Sequence, residues 1–297
     1  MEKIIDLHIH TICSDGEKTP FEIIDMAKDR NIDTISICDH DTIDAYTDEL
    51  FDYAIKNNVR LIPGVEISTK TNRCGIHVLG YNYDLKDENF RNKLAELRNK
   101  RQKYLLDVSE KLNELGYVVN VNELQKIESV TKAHISLDVI NNEKNSELLI
   151  KTFNHVPSKG EFIETIMNEG CPAYVKKETV TPKEASDLIK SAHGKVVLAH
   201  PVAYTNEDNL TEEDILNIIK DMDADGIESN YIYINKYNEK INNIDKWSRF
   251  ALDNNLFETV GSDFHNEDGL HPTVGLINED INLKEEEIDK IIANISE

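Results

Sequence analysis

The chain opens with short apolar runs separated by stretches of helical period. Lys3–Leu7 is a compact apolar run of the kind that forms a buried strand. Thr19-Pro20-Phe21-Glu22 then predicts a helix start, with Thr19 at the N-cap, Pro20 at the first helical position and Glu22 closing a capping box. Thr34–Cys38 predicts the next strand, the residues up to about Lys56 a helix, and Arg60–Val65 and His77–Tyr81 two further strands. Such alternation implies parallel pairing with right-handed crossovers.

That rhythm breaks after Tyr83. Phe90, Leu94, Leu97, Leu105, Val108, Leu112 and Leu115 recur at helical spacing and predict one long amphipathic helix over Glu88–Gly116, ended by Gly116. Shorter helical pieces run to about Asn168, and Gly170-Cys171-Pro172-Ala173-Tyr174 returns the chain. The alternation then resumes. Thr181-Pro182-Lys183-Glu184 repeats the capping box, and its helix ends near Gly194. Lys195–Ala199, Asp225–Glu228 and Phe257–Ser262 are predicted strands; Thr211–Asp221 and Asn238–Asn254 are predicted helices. The acidic Lys284–Ser296 reads as a solvated helix. About seven strands result, close to the common α/β barrel. The division expected is residues 1–85 and 175–297 for the two parts of the barrel and 86–174 for a helical insertion.

Composition changes the picture mainly through charge. The 297 residues hold 33 Lys+Arg against 56 Asp+Glu, a net charge of −23, which disfavours duplex nucleic acid as a partner. A phosphate ester is still admissible if bound cations invert the field locally. No apolar run is long enough for a membrane span, and MEKIIDLHIH lacks the basic flank and apolar stretch of a secretory leader. Cys13, Cys38, Cys74 and Cys171 form no CxxC pair and read as packing thiols in a reducing, cytoplasmic setting.

The chemistry sits at the predicted strand ends. The first strand ends in His8-Ile9-His10, followed by Ser14-Asp15-Gly16; the second ends in Asp39-His40-Asp41; the third ends in Gly64-Val65-Glu66. His77 begins the fourth, His200 follows the first strand after the insertion, and Asp263 and His265 follow the last. Residues two apart on an extended chain point the same way, so His8 and His10, like Asp263 and His265, can face one point. Imidazoles mixed with carboxylates suit Zn, Mn or Fe(II). Six His, two Asp and one Glu are too many for one ion and suit two or three divalent ions sharing carboxylates. Such a centre holds a hydroxide nucleophile and clamps a phosphate ester, so hydrolytic phosphoryl transfer is the expected reaction. Phosphate-binding loops, nucleophile elbows and dinucleotide fingerprints are absent from the sequence.

Asp6-Leu7-His8-Ile9-His10, Ser14-Asp15-Gly16, Asp39-His40-Asp41-Thr42, Gly64-Val65-Glu66-Ile67-Ser68, His77-Val78-Leu79-Gly80-Tyr81, Ala199-His200-Pro201 and Gly261-Ser262-Asp263-Phe264-His265 resemble, in order, the PHP (polymerase and histidinol phosphatase) superfamily. The resemblance implies a distorted (β/α)7 barrel with a trinuclear metal site. It assigns His8, His10, Glu66 and Asp263 to one ion, Asp15, His40 and His265 to a second, and Glu66, His77 and His200 to a third. The insertion resembles the branch acting on nucleoside 3′,5′-bisphosphates and 5′ ends of short RNA, through Leu97-Arg98, Arg101, His134 and Pro172-Ala173-Tyr174. The chain departs from that branch in reading Thr131-Lys132-Ala133 for Gly-Arg-Pro, and Val202-Ala203-Tyr204 where an arginine is usual.

The expected function is hydrolysis of a phosphomonoester, of a nucleotide or a short oligonucleotide, under a helical substrate cap. Arg98, Arg101, Lys132 and His134 are the candidate phosphate contacts outside the metal centre. A histidinol-phosphate-type phosphatase and a non-catalytic metal- or nucleotide-binding barrel are the alternatives.

Overall fold

The computed structural model describes residues 3–127, 129–235, 237–269, 271–275 and 283–296. Seven strands form one sheet: β1 (Ile5–Ile9), β2 (Thr34–Ile37), β3 (Arg60–Lys70), β4 (Gly75–Tyr81), β5 (Lys195–Leu198), β6 (Gly226–Asn230) and, last in order, Phe257–Val260. The pairs β1/β2, β2/β3, β5/β6 and β6 with Phe257–Val260 are parallel. A parallel bridge between Ile9 and Phe264, with His10 N–H donating to Phe264 O at 2.8 Å, brings the two ends of the sheet together into a nearly closed barrel.

β4 departs from the expected parallel order. It runs antiparallel to both β3 and β5. No helix separates β3 from β4: the Thr71 hydroxyl accepts from the N–H groups of Arg73 and Cys74, both at 3.1 Å, and closes a tight turn. A chain that turns back within four residues can only pair antiparallel. β3 is also longer than its apolar core suggested.

The helices begin where the capping chemistry placed them. α1 (Pro20–Asp29) starts behind Thr19, whose hydroxyl accepts from Glu22 N–H. α2 (Asp48–Lys56) starts later than expected, because the Thr47 hydroxyl caps Leu50 N–H and Asp41 takes a left-handed conformation. α3 (Glu88–Glu114) buries every predicted apolar position except Leu115, which is 37% exposed. The helix stops one residue earlier and Gly116, at φ +92°, turns the chain so that Tyr117 fills the core place instead.

Four short helices follow: α4 (Val121–Leu124), α5 (Lys132–Asn141), α6 (Ser146–Phe153) and α7 (Lys159–Phe162). Residues Ala95–Thr179 form one compact unit, and the described residues before and after them form another. The core of the first of these is built by Leu105, Val108, Leu112, Ile135, Phe162 and their neighbours.

The barrel unit continues with α8 (Pro182–Ser191), capped by the second Thr–Glu box, then α9 (Pro201–Glu207) and α10 (Glu212–Met222). Asn238–Asn242, expected to be helical, instead joins a small antiparallel pair, β7 (Ile232–Ile234) with β8 (Lys240–Asn242). Asn235 accepts from Tyr237 N–H and Glu239 N–H, and Asn238 at φ +60° completes that turn. α11 (Ile244–Asp253) therefore starts late, and the sheet ends at β9 (Phe257–Val260).

The acidic terminal helix, α12 (Glu285–Ser296), is not merely solvated. Ile288, Ile291 and Ile295 recur on one face and are buried in the barrel core with Ile5, Leu7, Tyr81 and Val260. The acids lie on the other face. No helix among the described residues is long and apolar enough to cross a membrane.

Candidate metal centre

The predicted ligands arrive from strands and the turns that follow them, although Glu66, expected at the end of its strand, lies inside β3 because that strand runs on to Lys70. β1 carries His8 and delivers His10 one residue beyond its end, both fully buried. A turn in which Ser14 N–H and Gly16 N–H both donate to Thr11 O presents Asp15. His40 follows β2 and bridges to Glu66 in β3. His200 follows β5, while Asp263 and His265 follow β9. Because β4 runs backwards, its beginning lies at the rim where the parallel strands end, and His77 joins the others there.

Glu66 is the hub. Its carboxylate lies 2.9 Å from His77 Nδ1, 3.0 Å from His40 Nδ1, 3.2 Å from His200 Nε2, 3.3 Å from His10 Nε2 and 3.5 Å from His8 Nε2. Asp15 faces His265 Nε2 at 3.4 Å, His10 Nδ1 at 3.6 Å and His40 Nε2 at 3.8 Å. Asp263 faces His10 Nε2 at 3.1 Å and His8 Nε2 at 3.4 Å. All nine residues thus converge. Three groups bring ligand atoms within 4.8 Å of one another: His8 with His10 and Glu66; His10 with Asp15, His40 and His265; and His40 with Glu66 and His77.

Not every polar atom of this cluster finds a hydrogen-bond partner within it. Asp15 Oδ1 and Glu66 Oε2 are buried and accept no hydrogen bond, although imidazole nitrogens surround both. An orphaned buried carboxylate oxygen is costly, and a cation shared with the imidazoles removes that cost. The donor set therefore fits divalent metal ions.

The titration behaviour follows from the same crowding. Burial opposes ionisation of Glu66 and Asp15, yet the neighbouring imidazoles hold both well below the usual carboxylate range. Burial works against His10 too, but the adjacent Asp263 and Glu66 carboxylates raise it to about 10. At His40 burial wins and lowers the imidazole to about 4. Protons occupy the role that cations would take over.

Several supporting residues were given no role by the sequence reading. Asp6, two residues before His8, accepts from Ser262 N–H at 2.9 Å and Gly275 N–H at 2.8 Å, and its burial pushes it up to about 6. Asp39, beside His40, accepts from Thr11 N–H at 2.7 Å and fixes the loop that carries Asp15. Both were signalled by their place next to a ligand. Tyr231 donates to Asp263 at 3.2 Å, and the Tyr204 hydroxyl accepts from His77 N–H at 2.8 Å. Glu228, fully buried, meets His8 Nδ1 at 3.0 Å. Its only signal was an acid at a strand end. Beside the centre lies a cleft of about 410 Å³, lined in part by His77, His200, Tyr204, Glu207 and Tyr231.

The candidate phosphate contacts lie in the Ala95–Thr179 unit. Arg98 is half-buried on α3. Arg101 is buried, with its guanidinium donating to Val130 O at 3.4 Å. Lys132 opens α5 and donates to Asn168 at 2.9 Å, while His134 Nδ1 accepts from Thr131 N–H at 3.1 Å in a capping box. Cys38, expected to be a packing residue, is buried; its thiol donates to Leu7 O, and burial pushes it up to about 12.

Buried imidazoles and carboxylates gathered on the rim of a seven-stranded β/α barrel define a metal-dependent hydrolase. The chain belongs to the PHP domain family, whose match covers residues 6–196, and it is a metal-dependent phosphoesterase. It is similar to a 5′-3′ exoribonuclease of Haemophilus influenzae, with 30% identity over 89% of this chain and 91% of that protein. It is 25% identical to a 3′,5′-nucleoside bisphosphate phosphatase of Chromobacterium violaceum, over 88% of this chain and 87% of that protein. Its fold resembles a Bifidobacterium adolescentis protein described as a metal-dependent phosphoesterase, with a TM-score of 0.75, 20% identity, and coverage of 98% of this chain and 96% of that one.

Proposed function

We propose that the chain hydrolyses a phosphomonoester of a nucleotide, either a nucleoside 3′,5′-bisphosphate or the 5′ end of a short RNA. The observation that carries this reading is Glu66, a buried carboxylate facing five imidazoles with one oxygen accepting no hydrogen bond. The relatives acting on such substrates supply the substrate class.

His8, His10, Asp15, His40, Glu66, His77, His200, Asp263 and His265 would hold two or three divalent ions, with Zn, Mn and Fe(II) all suited to the donor set. Bound there, such ions acidify water and neutralise charge on phosphoryl oxygens. The chain's own part is positioning. Tyr231 holds Asp263, Tyr204 holds the main chain at His77, and Asp39 holds the loop bearing Asp15. Arg98, Arg101, Lys132 and His134 belong to the same proposal as phosphate contacts of a substrate cap formed by the insertion, Arg101 acting through the segment at Val130 that it binds.

A second reading is a phosphatase for an amine-bearing monoester of the histidinol-phosphate type. The cleft favours it in one respect: its lining includes Glu207 and Asp208 and, among the described residues, no lysine or arginine. A screen of mono- and bisphosphorylated nucleotides, 5′-phosphorylated short RNA and histidinol phosphate, on protein of known metal content, separates the two. His10→Ala and Asp263→Ala should each lose metal and phosphomonoesterase activity together. Full turnover in a metal-free variant would refute the proposal.

A further inference from the structure

We infer that Glu228 is a positioning residue that holds two metal-ligand positions with one carboxylate. The inference rests on the metal-centre reading above and deepens it.

His8 has two ring nitrogens in different settings. Its Nε2 faces the centre, 3.2 Å from His10 Nε2 and 3.4 Å from Asp263. Its Nδ1 faces away, towards Glu228 Oε1 at 3.0 Å and, more distantly, Oε2 at 3.3 Å. A carboxylate in that place accepts the Nδ1 proton, which leaves the Nε2 lone pair directed at the metal position. The other oxygen, Glu228 Oε2, accepts from His200 N–H at 2.9 Å. His200 needs such an anchor, since its backbone sits at φ +23°, outside the ordinary conformations of a side-chain-bearing residue.

The fold makes room for this arrangement. Glu228 stands in β6, between the strand that delivers His200 and the strand that delivers Asp263. Gly261 follows β9 at the same level, and a Cβ there would overlap both His8 Cβ and Glu228 Oε1. A fully buried acid whose oxygens meet the ring of one ligand residue and the main chain of another is not filling space. It sets the ring of one ligand and the main chain of another.

Glu228→Gln tests this, because glutamine matches glutamate in volume but keeps a single acceptor. The amide puts an N–H donor in one of the two oxygen positions, where it opposes either the His8 Nδ1 proton at its shorter contact or His200 N–H. Chelator-stripped wild type and variant are titrated with Mn²⁺ by calorimetry, and imidazole nitrogen shifts are read on the zinc-loaded proteins. The expected result is roughly 10- to 100-fold weaker binding of part of the Mn²⁺ in the variant, together with loss of the single His8 tautomer, which a space-filling role would not move. Glu228→Asp keeps both acceptors on a shorter arm. It serves if the glutamine variant does not fold, and should weaken binding by about tenfold. Wild-type Mn²⁺ affinity and an unchanged tautomer in a folded variant would overturn the role of Glu228 while leaving the metal centre standing. Wild type that takes up no metal would overturn both.

Discussion

Stripping metal from the centre should give the protein an alkaline weakness that the loaded form lacks. His10 carries the effect most plainly. It is fully buried against Asp263 and Glu66, and its value is raised from 6.5 to about 10. A histidine whose folded value is raised contributes stability that is complete below pH 6.5 and is lost as pH climbs through about 10. The difference between 6.5 and about 10 corresponds to about 5 kcal/mol if His10 titrates alone. For a domain of this size each kcal/mol moves the melting temperature by roughly 2–4 °C, so the stripped protein should lose on the order of 10–20 °C across that window.

His8 and His200 shift in the same direction and sharpen the loss. His40 is lowered to about 4, so its contribution is present above pH 6.5 and disappears as pH falls through 4, shaping the acid limb instead. With cations bound the imidazoles would be neutral ligands, metal uptake would release these protons, and the alkaline loss should disappear. Thermal unfolding of chelator-stripped and manganese-loaded protein from about pH 6 to about pH 10 reads the effect. A stripped protein whose stability stays flat or rises over that range would refute the reasoning, as would identical slopes for the two forms.

Two other outcomes follow. Ile288→Ala removes a buried branched side chain from the barrel core and should cost roughly 2–5 kcal/mol by urea unfolding, with Mn²⁺ stoichiometry unchanged; a near-neutral result would show that α12 does not support the barrel. Lys132→Ala and Arg98→Ala should raise KM for a nucleoside bisphosphate by about tenfold, the scale of one charged hydrogen bond, and leave KM for a monophosphate unchanged. Equal effects on both substrates would remove these residues from recognition of a second phosphate.

What could be read from the sequence was local. The two Thr-Pro-x-Glu helix starts appear as full capping boxes because every partner lies within four residues. His8 and His10 face together because strand geometry dictates it. What could not be read was set by distant partners. Ile288, Ile291 and Ile295 look like a modest stripe on an acidic helix until the barrel floor receives them. Glu228 acquires meaning only when β6 brings it beside His8, 220 positions away.

His77 joins the two kinds of information. On a parallel strand its place at the strand's beginning would put it at the end of the barrel opposite Glu66. The structure pairs it with Ser68 across an antiparallel ladder and sets its Nδ1 2.9 Å from Glu66. The reversal of β4 is thus what makes His77 available to the centre. Residues at the ends of parallel strands require one candidate at the start of a strand to come from a strand running the other way. A list of candidate ligands, sorted by whether each ends or begins its strand, therefore constrains sheet topology as well as chemistry.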